Sequence, residues 1–459
     1  MKRILNLFKK AKINNIPSAF VLLISLAFTS ACLNTENVNI TPKRTIENIR
    51  VTDNIITQSS LLNAILDSPE IKSNLALHQA ALVNIEVEKT ARNFRTDVTA
   101  SGGLHKKFPG NSNAATANIN AYKLINDSGQ TDRKINLAIN IANQSKISAN
   151  ILIDQHIEHL LQAFVKHSAA EKRIKIFDTY FDVYREKEVL ITSAVEQGFL
   201  SNSDYLEIKK SINKLRSDKA KAKLDENTSH NFLKLKLNQH YVKSIAEIEK
   251  NFAPSSMIPF DQQNTFNQKL LKLKENALDI KLELQKANGL PLANLQTSIT
   301  SPNSTNTSAT LFAGVSISFF RNDGGKSVKT IKRIKEQLKS IRHEKQNNIL
   351  KMQIARKELE SFKIFYDLEK KILIERKRDA RDQLLDLDLL LKAGKIKIHE
   401  YINVIITNSE IDLYEINLET ELLNKILAVG IVSNQTCSLI ALCDRDSLIL
   451  ELKSNVNRN

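Results

Sequence analysis

Residues 196–210 read EQGFLSNSDYLEIKK, and residues 392–406 read KAGKIKIHEYINVII. Each places one glycine, Gly198 or Gly394, inside a long stretch that otherwise lacks Gly and Pro: the uninterrupted windows are 130–197, 199–253, 326–393 and 395–429. Gly opens backbone angles that other residues avoid and Pro removes a hydrogen-bond donor, so their scarcity predicts long helices and their isolated presence predicts a reversal. At 1.5 Å per residue, about 60 helical residues already extend about 90 Å, several times the diameter of a small domain. Helices of that length do not fold back into a globule. Gly198 and Gly394 therefore read as the far ends of two helical hairpins.

The two stretches also align with one another. Gly198 falls on Gly394, Leu200 on Ile396, Asp204 on Glu400, Tyr205 on Tyr401, Leu206 on Ile402 and Ile208 on Val404. Far upstream, LINDSGQTDRKI lies against FFRNDGGKSVKTI with Asn126 and Asp127 over Asn322 and Asp323, at the same offset. One offset at two distant places predicts a tandem repeat. Before each long helix, the residues alternate. Val98 and Ala100 stand against Thr99 and Ser101, Ala117 and Ile119 against Asn118 and Asn120, and Leu311, Ala313, Val315, Ile317 and Phe319 share one face. Period two predicts strands with one apolar and one polar side, paired as hairpins through KKFPGNSN and PNSTNTS. The order is helix, two strands, long helix, glycine turn, helix, performed twice. The first helix of each repeat is placed at 59–93 and 263–288.

Composition agrees with this reading. Trp is absent, Gly (11) and Pro (8) are few in 459 residues, and the formal charge of +16 is spread over mixed Lys/Glu helical faces. Without a groove-reading or base-stacking motif, that charge describes a solvated helix surface and implies no nucleic acid. Lys2, Arg3, Lys9, Lys10 and Lys12 precede the apolar AFVLLISLAF and the small-residue run TSAC. This predicts a secretory signal peptide, because a spanning helix needs about 20 apolar residues. The ending resembles the lipobox of bacterial lipoproteins, with Thr29 where the family usually has Leu; cleavage before Cys32 and its acylation, palmitate included, would follow. Leu33 stands where Asp would favour inner-membrane retention, so the outer membrane is the expected destination. The remaining cysteines, Cys437 and Cys443, predict a small disulfide loop in that oxidising compartment.

Signs of catalysis or metal chemistry are weak. His156 and His159 have i, i+3 spacing but no acid pattern to complete a metal site, HEYIN at 399 lacks the second His of HExxH, and NDGGK has the wrong glycine spacing for a phosphate loop. An enzyme is not expected, nor a cofactor or metal. Four strands are too few for a membrane barrel, which needs at least about eight, so subunits would have to share one.

Taken together, the repeated order of elements, GFLSNSDYLEI and GKIKIHEYINV, the junction FFRNDGG and the lipobox resemble the TolC-like outer-membrane efflux and type I secretion channels over nearly the whole mature chain. The resemblance implies a mainly α fold with a small membrane β-barrel: a homotrimer with a 12-stranded barrel in outer-membrane lipid and an α-helical tunnel across the periplasm. It also implies a periplasmic adaptor protein and an inner-membrane pump or ABC exporter as partners, and no chemistry in the channel itself. On this pattern the chain divides into a signal peptide (1–31), a linker (32–58), a first repeat (59–237) and an equatorial segment (238–262), followed by a second repeat (263–430) and a C-terminal tail (431–459). Strands are placed at about 95–106, 114–124, 294–301 and 309–320, and long helices at about 131–197, 200–237, 326–393 and 396–429.

Carried onto this sequence, the resemblance gives an adaptor-facing tip of Gln197, Gly198, Phe199 and Leu200 with Ala393, Gly394, Lys395 and Ile396. Asp204 and Glu400 stand at the family's acidic periplasmic constriction, where three equivalent carboxylates would attract cations. Asn403 replaces a second acid there. Leu391 and Ile396 occupy the places of a Tyr and an Arg that latch the closed tip, so the latch is either weaker or made by Lys395 and Lys397 with acids. A lipid-anchored periplasmic coiled-coil adaptor is the alternative; adaptors carry one helical hairpin between halves of a Gly- and Val-rich lipoyl domain, whereas this chain has two hairpins in tandem.

Overall fold

The computed structural model describes residues 60–106, 111–252, 265–300, 310–318 and 323–440. The segments read as signal peptide and linker, with Cys32, and the last part of the C-terminal tail, with Cys443, lie outside the described residues. The chain opens with α1 (Ser60–Leu66) and α2 (Pro69–Lys89), followed by a 3-10 turn at Thr90–Arg92. The expected single helix over 59–93 is thus broken at Asp67 and Ser68. Pro69 is the cause: it has no N–H to donate into a continuing helix and its fixed φ suits the first position of a new one.

Strands β1 (Arg95–Lys106) and β2 (Asn111–Asn126) lead into α3 (Gln130–Glu196) and α4 (Asn202–Leu237). After a 3-10 turn at Asn238–His240 come α5 (Tyr241–Asn251) and α6 (Phe266–Ala287). The second half repeats the first with β3 (Leu292–Thr300), β4 (Thr310–Ser318), α7 (Lys326–Lys392), α8 (Ile398–Ser433) and a terminal 3-10 turn at Thr436–Ile440. Helices α3 and α7 have 67 residues each, about 100 Å, and α4 and α8 have 36 each.

The four strands form one antiparallel sheet in the order β1-β2-β3-β4, so the β2–β3 pair stitches the repeats together. Register places Val98, Ile119, Ile299 and Leu311 in one cross-strand row, and Asp97, Asn120, Ser298 and Phe312 in the next. Paired residues share a face, which makes the first row apolar and the second mostly polar. Within one chain the apolar side is bare: Val98, Leu311 and Val315 are exposed. No described helix is long and apolar enough to cross a membrane.

Where strand passes to helix, both repeats use the same device. Asp127 accepts hydrogen bonds from the Gly129 and Thr131 amides (3.1 and 2.6 Å), and Asp323 accepts them from Gly325 and Ser327 (3.1 and 2.8 Å). These carboxylates satisfy amides that the first helical turn leaves without partners. The turn itself needs two left-handed residues, Ser128 and Gly129 (φ 55° and 77°) or Gly324 and Gly325 (φ 62° and 83°). Ser128 tolerates that conformation at a cost that Gly324 avoids, and its hydroxyl donates to the Pro291 carbonyl (2.9 Å), tying the first junction to the second repeat.

Two hydrophobic clusters hold the helices together. The larger joins Leu61 and Ile65 of α1, Ile157 and Leu161 of α3, Leu233 and Leu237 of α4, Ile248 of α5, Leu373 of α7 and Leu422 and Ile426 of α8. The smaller lies near the glycine turns. The C-terminal 3-10 turn docks on the larger cluster through buried Asp154, whose carboxylate accepts from the Cys437 amide (2.9 Å) while its carbonyl accepts from the Thr436 hydroxyl (3.2 Å). Cys437 is fully buried and disulfide-bonded, with its partner cysteine outside the described residues.

Burial pushes the Asp154 carboxyl up from 3.8 to about 6, despite opposing hydrogen bonds from Thr436 and Cys437. A carboxyl with a raised folded-state pKa binds more protons folded than unfolded in that interval. The contribution of Asp154 to stability is therefore greatest below about pH 4, falls as pH rises toward about 6, and stays flat above, a loss of about 3 kcal/mol from this group. Asp154→Asn keeps the acceptor oxygen without the charge. It is expected to remove this slope and raise the melting temperature near pH 7, and thermal melts at several pH values check this; an unchanged slope assigns the pH dependence to another group.

Candidate functional site

The reversals at Gly198 and Gly394 are built differently. At the second, Gly394 (φ 69°) donates to the Leu391 carbonyl (3.0 Å) and Lys395 donates to the Leu390 carbonyl (2.9 Å), which is a Schellman termination of α7. At the first, Gly198 (φ 79°) donates to Val195 (3.1 Å), but the outer bond comes one residue later, from Leu200 to Ala194 (2.9 Å). Neither glycine has an atom within 4 Å of where a Cβ would stand, so backbone angle, not space, demands it. The returning helix α4 is capped by Ser201, whose hydroxyl accepts from the Asp204 amide (3.1 Å), while α8 begins at Lys397 with no side-chain cap.

Between the turns, Leu200, Ile208, Ile398, Tyr401 and Ile402 are buried in one cluster, with Tyr205, Leu391 and Ile396 packed against it. This cluster joins the two hairpin ends side by side. Gln197, Gly198, Phe199, Ala393, Gly394 and Lys395 are left exposed at the surface, Phe199 at 74%. The predicted tip residues thus divide: Leu200 and, in part, Ile396 anchor the turns from beneath, and the others face out. Asp204 is half-buried, whereas Glu400 and Asn403 are exposed.

Along their length the hairpins are joined by a polar seam between α3 and helices α7 and α8. Lys172 pairs with Glu419 (2.8 Å), Arg173 donates to Asn417 (2.6 Å), the Tyr180 hydroxyl donates to Asp412 (2.9 Å), and Lys187 pairs with Asp388 (3.0 Å). Burial and the Asp412 carboxylate push the Tyr180 phenol well above its usual range, so it remains a donor. Nearest the turns, Asp388 also binds Lys392 (2.7 Å), and Lys187 lies 5.2 Å from the centre of the Tyr401 ring. Lys392 and Lys187 together hold the Asp388 carboxyl below its ordinary range.

Among the described residues Lys395 and Lys397 form no ion pair; Lys392, one turn from Asp388 on the same helix, does so instead. The seam was not foreseen, because its partners lie some 200 residues apart in sequence and no local pattern couples them. His156 was set aside for want of an acid, yet its Nε2 lies 3.0 Å from Glu70 on α2. Cys32 and Cys443 lie outside the described residues.

Two tandem hairpins on one four-stranded sheet are a TolC-like fold, shared with solved structures of outer-membrane channels. The chain is similar to CusC, whose solved structures concern folding and transmembrane channel formation, at 12% identity over 83% of this chain and 93% of that one, with a TM-score of 0.67. It is similar to the outer membrane channel CmeC of Campylobacter jejuni at 12% identity, covering 82% and 85% of the two chains with a TM-score of 0.66. The outer membrane protein VceC of Vibrio cholerae matches at 11% identity over 81% and 94%, with a TM-score of 0.67. No family model and no curated relative matches the sequence. The likeness is in the path of the chain and concerns the fold.

Placing a Cβ at φ near +70° costs about 1–2 kcal/mol, and Asn tolerates the region better than Ala. Gly394→Ala is therefore expected to open the ends of α7 and α8 more than Gly394→Asn does. Hydrogen exchange at residues 389–400 measures this, and equal protection in the two variants would show that the turn does not depend on the left-handed angle.

Proposed function

We propose that this chain is one subunit of an outer-membrane export channel: a passive conduit that completes a tripartite efflux or type I secretion system and performs no chemistry. The observation that carries this reading is the sheet. Its apolar row stands bare and its outer strands, β1 and β4, each pair on one side only. Open edges with an apolar face are unstable in water and in lipid alike, and closing them into a barrel removes both faults. Three copies would supply twelve strands, with apolar residues toward lipid and Asp97, Asn118, Asn120 and Ser298 toward a wet lumen.

Helix α7 supports the same assembly. Of its 67 residues only Ile334, Leu338, Met352, Tyr366 and Leu373 are buried, while Leu350, Ile354, Ile364, Leu368, Leu385 and Leu389 are exposed at heptad-related spacing. A stripe with a 3.5-residue period is what a neighbouring helix covers. The proposed occupant is a second copy of this chain, because the same copies that close the sheet bring their helices alongside.

On this reading the exposed turn residues Gln197, Gly198, Phe199, Ala393, Gly394 and Lys395 meet an adaptor protein, and an inner-membrane pump or ABC exporter supplies the energy. Asp204, Glu400 and Asn403 line a periplasmic gate, Cys32 carries the lipid anchor in the outer membrane, and Cys437 pairs with Cys443. The parts are the boundaries given under Sequence analysis: signal peptide, linker, two repeats, equatorial segment and tail.

The expressed chain should fractionate with outer membranes and migrate as a trimer that dissociates on heating in detergent. A soluble monomer refutes the channel. Glu400→Ala is expected to lower cation over anion permeability in planar bilayers, and unchanged selectivity removes Glu400 from the constriction.

A further inference from the structure

Beyond conduction, we infer a divalent-metal site in the first hairpin, formed by His167 of α3 with Glu226 and His230 of α4. One candidate ligand atom from each lies within 4.8 Å of the others. Glu226 and His230 are four residues apart on one helix and therefore on one face. The two imidazole rings have centroids 5.7 Å apart at 45°. Two imidazoles and a carboxylate form a donor set for a borderline first-row cation such as Zn²⁺, and a poor one for Mg²⁺ or Ca²⁺, which require oxygen. A fourth tetrahedral position is left for water.

Independent observations point to a ligand rather than to chance proximity. His167 Nδ1 is buried with no hydrogen-bond partner, which is costly for a polar atom unless something binds it. The Tyr241 hydroxyl lies 3.0 Å from His230 Nδ1. Nδ1–H donating to the phenol oxygen fixes the ring and frees Nε2, the arrangement that supports metal-bound histidines. Lys166, next to His167 in sequence, is already bound to Asp225 (3.0 Å).

The internal repeat supplies a control. At the offset that maps Gly198 onto Gly394, His167, Glu226 and His230 fall on Lys363, Leu422 and Ile426. Leu422 and Ile426 are buried in the hydrophobic core. The fold fills the two α4-equivalent positions with aliphatic side chains in the second repeat, so it does not itself require polar groups there in the first. A metal would pin α3 to α4 and, through Tyr241, to the start of α5.

The test uses the full-length chain in detergent, stripped with chelator and dialysed against Zn²⁺ or Co²⁺. One Zn²⁺ per chain is expected, with tetrahedral visible absorption in the Co²⁺ form, and at least about tenfold weaker binding in Glu226→Gln and His230→Gln. His159→Gln, away from the trio, is expected to bind as the unaltered chain does. Absence of Co²⁺ bands in the folded unaltered chain overturns the site, and so does zinc binding that persists undiminished in both variants. Because the Co²⁺ reading needs no substitution, a variant that fails to fold leaves the result decisive.

Discussion

A helix of 67 residues can be covered only by other helices running beside it, and that constraint governs the rest of this structure. Too long to be wrapped by its own chain, α3 recruits α4, α2, α6 and α8 along successive stretches and buries residues such as Ile153, Ile157, Leu161 and Ile191. Its repeat partner α7 has the same length but fewer neighbours, and its apolar stripe stays open. The two helices differ in surroundings more than in design. What one chain leaves uncovered is what an assembly of copies would bury.

The ends of the helices obey a separate requirement, the satisfaction of backbone groups. Asp127 and Asp323 take up amides at the strand-to-helix junctions, and left-handed glycines return carbonyls to use at the turns. These local solutions recur at corresponding places because the repeats share them. Between the repeats the contacts are of another kind: the β2–β3 pairing, the Lys187–Asp388 end of the polar seam and the shared cluster beneath the turns. Ion pairs that solvent still reaches contribute little individually, so the seam's weight lies in registering α3 against α7 and α8.

Much of the architecture was legible in the sequence because its determinants are short-range. Period two marked Leu311, Val315 and Ile317 as strand residues, the lack of Gly and Pro marked the long helices, and one offset revealed the repeat. At 11–12% identity to channels of the same fold, most side chains on the helices differ while the pattern persists, since a helical face needs only apolar residues at the right spacing. The break at Pro69, the later outer bond at Leu200 and the Asp388 pairing were less accessible, each depending on an orientation that several residues set together.

By itself, then, the sequence determined which segments are helix and strand, where the chain reverses and that it does so twice, since backbone angles and side-chain periodicity are local properties. The tertiary structure alone decided that Asp154 is buried under the terminal turn, that Lys392 and Lys187 hold Asp388 near the turns, and that His167 meets Glu226 and His230. Those outcomes rest on how helices rotate and slide against one another. That packing couples residues tens to hundreds of positions apart, and no local pattern encodes it.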